Sequence, residues 1–227
     1  MIFVMNKTER LDLLFKDWKL NAECNNFKKD GIIWENKYLK LPKDKRILFL
    51  MKEGNDSKQE KKEGDYRSWW KEEPVEGAFS HRLSEWAYGL IEDFPPLISD
   101  VRIDFRDYLH KIAFMNLKKC AGGAKSDFHV MKEVVVQDRE KIIREIEIIE
   151  PSIIVAGITW YSLFKALVGH EISWIQSGFD IEYFKWNVNT SLSIKVINYY
   201  HPSSRIARAM TYCLLGAVIN SVNFKNL

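Results

Sequence analysis

The chain is poor in cysteine: its 227 residues contain three, Cys24, Cys120 and Cys213, far apart. No Cys-x-x-Cys pair occurs, which excludes a four-cysteine iron–sulfur cluster and argues against a disulfide framework. Reduced thiols in a cytoplasm are the simplest expectation. The histidines His81, His110, His129, His170 and His201 form no ligand-spaced pair, so no metal or other cofactor is expected. No apolar run approaches the length that spans a membrane, and the opening Met1-Ile2-Phe3-Val4-Met5 is too short for a signal peptide. Internal repeats and low-complexity segments are missing too. A strong charge of one sign is also absent. The net charge of +3 permits nucleic-acid binding without demanding it, because a local patch matters more than the total.

What is there is an ordinary globular composition, 46% hydrophobic and 29% charged, enough for one α/β domain. Residues 1–45 read as an N-terminal helical extension and 46–227 as the main domain. In residues 8–20, Leu11, Leu14, Phe15 and Trp18 share one helical face, with Thr8 as a cap. Four apolar runs read as buried strands, at about 46–51, 111–115, 152–157 and 193–199. Helices are expected over 81–92 (stopped by Pro95-Pro96), over 128–149, from a cap at Thr159 to about Val168, and over 204–221. The last should bury Ile206, Met210, Cys213, Leu214 and Ala217. Residues 52–68 read as a long charged loop. Strands alternating with helices predict a three-layer α/β/α fold around a mainly parallel four-stranded sheet.

Ligands of such sheets sit outside the carboxyl ends of the strands. The polar residues expected there are Glu53 and Asn55 after the first strand, Asn116 after the second and His201 after the last. The His201-Pro202-Ser203-Ser204-Arg205 segment is the most telling. A buried strand delivers a proton-handling ring, a rigid proline follows, and Ser203 or Ser204 can cap a helix whose free N–H groups suit a phosphate.

Three segments in order, Leu50-Met51-Lys52-Glu53-Gly54-Asn55, Phe114-Met115-Asn116-Leu117-Lys118 and Tyr200-His201-Pro202-Ser203-Ser204, resemble the strand-end motifs of the uracil-DNA glycosylase superfamily. The resemblance covers roughly residues 45–222. It departs from the family pattern at Gly54, where a proline is usual, at Met51, where a glycine is common, and at Glu53, which replaces an aspartate or asparagine. The cysteines of the iron–sulfur branches are missing.

The resemblance implies a monofunctional DNA glycosylase that flips out a base and leaves an abasic site. His201 would stabilise the departing base, and Glu53 the cationic sugar and attacking water. Asn116 would read the flipped base, with Asn55 beside it. Phe79, in Gly77-Ala78-Phe79-Ser80, would be the stacking platform, with Trp69 and Trp70 as alternatives. Lys118, Ser203, Ser204 and Arg205 would hold DNA, with Arg205 or Ile206 wedged into the emptied stack. No lysine stands out as a Schiff-base nucleophile, so strand cleavage is not expected. The divergent first motif leaves the substrate open between uracil and a hypermodified base, such as the decorated cytosines of phage DNA in an antiviral setting. A non-catalytic DNA-binding protein and an unrelated small-ligand protein are the competing readings. DNA is the expected partner, and a monomer the expected state.

Overall fold

The computed structural model describes residues 5–22, 24–55, 62–97, 103–123 and 125–227. In chain order the elements are α1 (Lys7–Leu20), β1 (Lys28–Lys29), β2 (Gly31–Ile32), α2 (Glu35–Lys40), β3 (Ile47–Asn55), β4 (Gly64–Asp65), α3 (Tyr66–Glu72), α4 (Gly77–Ile91) and α5 (Phe105–His110). They continue with β5 (Ala113–Gly122), α6 (Phe128–Gln137), α7 (Arg139–Ile149), β6 (Ile153–Ala156), α8 (Tyr161–Val168), β7 (Ile175–Gln176), β8 (Glu182–Asn187), β9 (Ser193–Asn198), α9 (Arg208–Ile219) and α10 (Val222–Lys225).

The fold is α/β, built on a mostly parallel sheet in the order β2-β5-β3-β6-β9-β8-β7. The four apolar runs form its parallel centre, β5-β3-β6-β9. The sheet has seven strands rather than four: β2 adds antiparallel to β5, and β8 and β7 add antiparallel beyond β9. Strand β2, two residues long, was not legible; β7 and β8 fall in residues 172–192, which read as irregular or as holding short strands. The pleat divides the core. Leu48, Leu50, Met115, Leu117 and Ile154 pack with residues of α1, α6, α7 and α8, whereas Phe49, Met51, Phe114, Val155 and Ile197 pack with residues of α4 and α9. Helices thus cover both faces, as a buried parallel sheet requires.

Residues 5–45 supply an edge strand and a core helix to this sheet. Helix α1 buries Leu11, Phe15 and Trp18. Its cap is Asn6, in a reciprocal capping box with Glu9, rather than Thr8, whose hydroxyl donates to Glu35.

Several other expectations are corrected. The helix predicted over 128–149 is two, divided at Asp138, because Met131 and Val135 of α6 and the Ile142–Ile146–Ile149 stripe of α7 are separate buried faces. Thr159 does not cap α8: it sits at φ 64° with its hydroxyl on the Ile158 carbonyl, and Trp160 precedes the helix. The last helix begins at Arg208, after Ala207, so neither Ser203 nor Ser204 caps it. Its buried face carries Thr211, Tyr212, Leu215 and Val218, leaving Met210 and Cys213 exposed. Tyr212 sets that phase by packing on Phe94 and donating to the Pro95 carbonyl.

The cysteines are not all reduced thiols. Cys24 and Cys120 form a disulfide, with Cα atoms 6.0 Å apart, because the pairing of Phe27 with Cys120 lays the segment after α1 along β5. A separation of 96 residues hid the pair from sequence reading. Among the described residues, no helix is long and apolar enough to cross a membrane.

Candidate active site

The parallel strands read 2-1-3-4 across the sheet in their order of appearance, so the chain switches direction at β3, where ligand crevices form. The carboxyl ends there are packed tightly. A Cβ on Gly157, just past β6, would lie 3.3 Å from the His201 Cα and would also strike the Met51 sulfur. Only glycine lets the His201 segment approach β3 this closely.

A cavity of about 780 Å³ opens at these ends. It is lined by Glu53, Asn55, Phe79, Asn116, His201 and Ser203 and by the alternative platforms Trp69 and Trp70, so eight of the residues singled out in the sequence converge there. Lys118, Ser204 and Arg205 lie outside its lining.

Glu53 and Asn116 do not follow their strands, as expected; they lie within them. Strand β3 runs to Asn55 and β5 to Gly122, pairing Met51 with Asn116 and Glu53 with Lys118. The pleat that buries Phe49, Met51 and Phe114 therefore sends Glu53, Asn116 and Lys118 to the same face. The predicted 52–68 loop begins later for this reason; residues 56–61 lie outside the described residues.

The Glu53 side chain is 5% exposed and pairs with Lys118 Nζ at 2.6 Å. The bare face of Gly122 makes room for its carboxylate, since a Cβ there would overlap it. Lys118 is thus the counter-ion of Glu53. Asn116 is 2% exposed, and among the described residues its side-chain amide has no hydrogen-bond partner. Its backbone, by contrast, is fixed from both sides. The N–H donates to Asp30 Oδ2 at 2.7 Å, and the carbonyl accepts from Lys119 Nζ at 2.9 Å. Lys119 is buried behind the sheet between Asp30 (2.6 Å) and Glu145 (2.8 Å). Burial holds the Glu145 carboxyl well above the usual carboxylate range, with Lys119 pulling the other way. A proton on Glu145 removes the excess negative charge of two carboxyls facing one ammonium.

The walls are aromatic. Phe79, in the first turn of α4, stacks on Trp70 (6.1 Å between centroids, 18° between planes) and stands edge-on to Phe114. It also faces the His201 ring at 5.6 Å. Trp69 and Tyr66 continue the wall, and Trp69 is 48% exposed.

Burial, aided by the charge of Lys52, lowers the His201 pKa to about 4, so the ring is neutral at physiological pH. Its Nδ1 accepts the Ser203 N–H at 3.2 Å, which leaves the proton on Nε2. The segment that carries it is held by Arg82, a buried residue of α4. The guanidinium donates to the carbonyls of Pro202 (2.8 Å), Ser204 (2.7 Å) and Ile206 (2.8 Å) and to the Ser204 hydroxyl (2.9 Å). These carbonyls are thereby unavailable to a helix, which is why α9 starts late. Arg205 points outward, exposed and, among the described residues, unpaired.

Sequence reasoning missed several residues of the site. Phe114 could have been found, because it shares the pleat face of Asn116 two residues on. Lys52, beside Glu53, also lines the cavity, as do Lys125 and Ser126. Nothing in the sequence marks Arg82 on its helix.

The arrangement can hold a flat ring against Phe79, read its polar edge with the Asn116 amide and donate a hydrogen bond from a neutral imidazole. No family model matches the chain, and no curated protein matches it.

Proposed function

We propose that the chain is a DNA glycosylase, acting on a base flipped into the 780 Å³ cavity and leaving an abasic site. One observation carries the reading: an asparagine amide that has no hydrogen-bond partner among the described residues lines an aromatic cavity that also holds a neutral histidine. The amide atoms are not sealed from the cavity, so a ligand's hydrogen-bonding edge replaces solvent there, whereas a ring that covered them without pairing would cost about 1–3 kcal/mol.

In this reading the base stacks on Phe79 and bonds to Asn116. The bond from C1′ to the base nitrogen breaks, and its electron pair leaves with the base. His201 Nε2–H donates to the base carbonyl where that charge gathers. Glu53, held by Lys118, faces the cationic sugar and orients the water whose oxygen bonds to C1′. Arg205 and Ser203 meet backbone phosphates.

The cavity volume favours a modified base over plain uracil. It lies in the range of roughly 300–1,000 Å³ that encloses drug-sized ligands, so with the deoxyribose inside there is still room for a substituent on the ring. A decorated cytosine of phage DNA fits such a space.

Labelled DNAs carrying uracil, hypoxanthine, xanthine, 5-hydroxymethylcytosine or glucosylated cytosine, followed by alkali, test the proposal. Base release is expected from at least one. Asn116→Ala should lower kcat/KM on it by roughly 10–100-fold, the loss of about 1–3 kcal/mol of transition-state binding, with the fold intact by circular dichroism. Folded protein that binds DNA in a salt-dependent way but frees no base would instead support the non-catalytic reading.

A further inference from the structure

Lys52 has no part in the reaction just described, yet it lines the same cavity. It follows Met51 and precedes Glu53 on β3, so the pleat turns it toward the other face of the sheet, where its Nζ rests 4.4 Å from the centre of the Trp160 ring. That ring holds the chain end at the carboxyl edge of the sheet. Among the described residues no carboxylate lies within ion-pair distance of it. Two lysines near this site are committed, Lys118 to Glu53 and Lys119 to Asp30 and Glu145, while Lys125 lines the cavity beside Lys52. Lys52 is also close enough to His201 for its charge to act on that ring. Burial lowers its own pKa below the ordinary lysine value, with Glu53 opposing, so more of the free amine is present near neutrality.

We propose that Lys52 is an amine nucleophile toward an aldehyde, and that the aldehyde is the ring-opened C1′ of an abasic deoxyribose held in this cavity. The inference rests on the glycosylase reading, whose product is that sugar. The Nζ lone pair adds to C1′, the carbinolamine loses its oxygen with two protons as water, and a C1′=Nζ imine remains. No oxidant, reductant or metal takes part. The imine would keep a reactive abasic site covered until water reverses it, and would extend the protein's action from the base to the sugar.

The experiment separates the two ideas. A synthetic labelled DNA with a ready-made abasic site is mixed with the full chain and sodium borohydride, and covalent protein–DNA adducts are read on a denaturing gel and mapped by peptide mass. Base release from the modified-base panel is measured in parallel. Wild type should form an adduct that maps to Lys52. Lys52→Arg, which keeps the charge and the ring contact, and Lys52→Gln should each reduce it by at least about tenfold. Base release without an adduct, or an adduct undiminished in both variants, overturns the role of Lys52 and leaves the glycosylase reading standing. An adduct at Lys52 without base release from any DNA supports the amine and overturns the glycosylase.

Discussion

The Ser203 backbone N–H donates to Nδ1 of His201 at 3.2 Å, and this one bond decides which edge of the imidazole carries the proton. It places the donor on Nε2 before any ligand arrives, and the same geometry disfavours protonation of the ring, since Nδ1 already serves as an acceptor.

The pH behaviour follows. His201 has its folded value near 4, below the ordinary 6.5, so between those values the unfolded chain binds more protons. Its contribution to stability is therefore complete above about pH 6.5 and declines as pH falls toward 4. The imidazole resonance should titrate with a midpoint well under 6, and base release should stay level from roughly pH 6 to 8. An NMR midpoint at the ordinary value would mean that the ring is not enclosed as described.

Arg82 should control the His201 segment. Arg82→Met leaves the carbonyls of Pro202, Ser204 and Ile206 without their donor. A loss of about 3 kcal/mol in urea unfolding is expected, together with a rise of the His201 midpoint as the segment loosens. Arg82→Lys should rescue little, because an ammonium cannot reach acceptors spread along a planar fork. Full recovery in the lysine variant would show that charge alone matters there.

Glu145 gives the opposite pH sign. Its carboxyl is raised above the ordinary 4.5 in the fold, so the unfolded chain ionises first. Stability then falls as pH rises above that value, by up to about 1.4 kcal/mol per pH unit, until the folded carboxyl also ionises. Glu145→Gln should flatten this slope and leave the protein at least as stable as wild type at pH 8. Lys119→Met, which strips the cation from Asp30, should cost about 3–5 kcal/mol. Parallel urea titrations at pH 5 and 8 distinguish the two variants.

Reduction should expose the contribution of the Cys24–Cys120 bridge, which closes a loop spanning 96 residues. A Cys24→Ser variant, or wild type with reductant, should lose about 2–4 kcal/mol. A protein acting on DNA in a reducing compartment would meet this loss in the cell. Equal urea midpoints with and without reductant would show that the bridge adds nothing to stability.

Much of the frame was legible in the sequence. Four continuous apolar runs marked the parallel strands, since a strand buried on both faces cannot hide among polar residues. The polar residues Glu53, Asn116 and His201 at or beyond those runs pointed to one end of the sheet. Their place inside the strands was not legible, because β3 and β5 go on pairing where their hydrophobic signal has stopped. The phase of α9 was misread because Tyr212, a residue with a polar tip, anchors it.

The sequence by itself determined the alternation of strand and helix, the direction of the central strands and the end of the sheet where chemistry-bearing side chains collect. These follow from local hydrophobic period and from chain connectivity. Only the tertiary structure decided that Lys118 neutralises Glu53, that Arg82 holds the His201 segment, that Cys24 meets Cys120, and that the Asn116 amide has no hydrogen-bond partner among the described residues. Each joins residues 65 to 124 positions apart or, for Asn116, depends on what every neighbouring element withholds. Contacts at that range arise from packing, which a linear pattern does not carry.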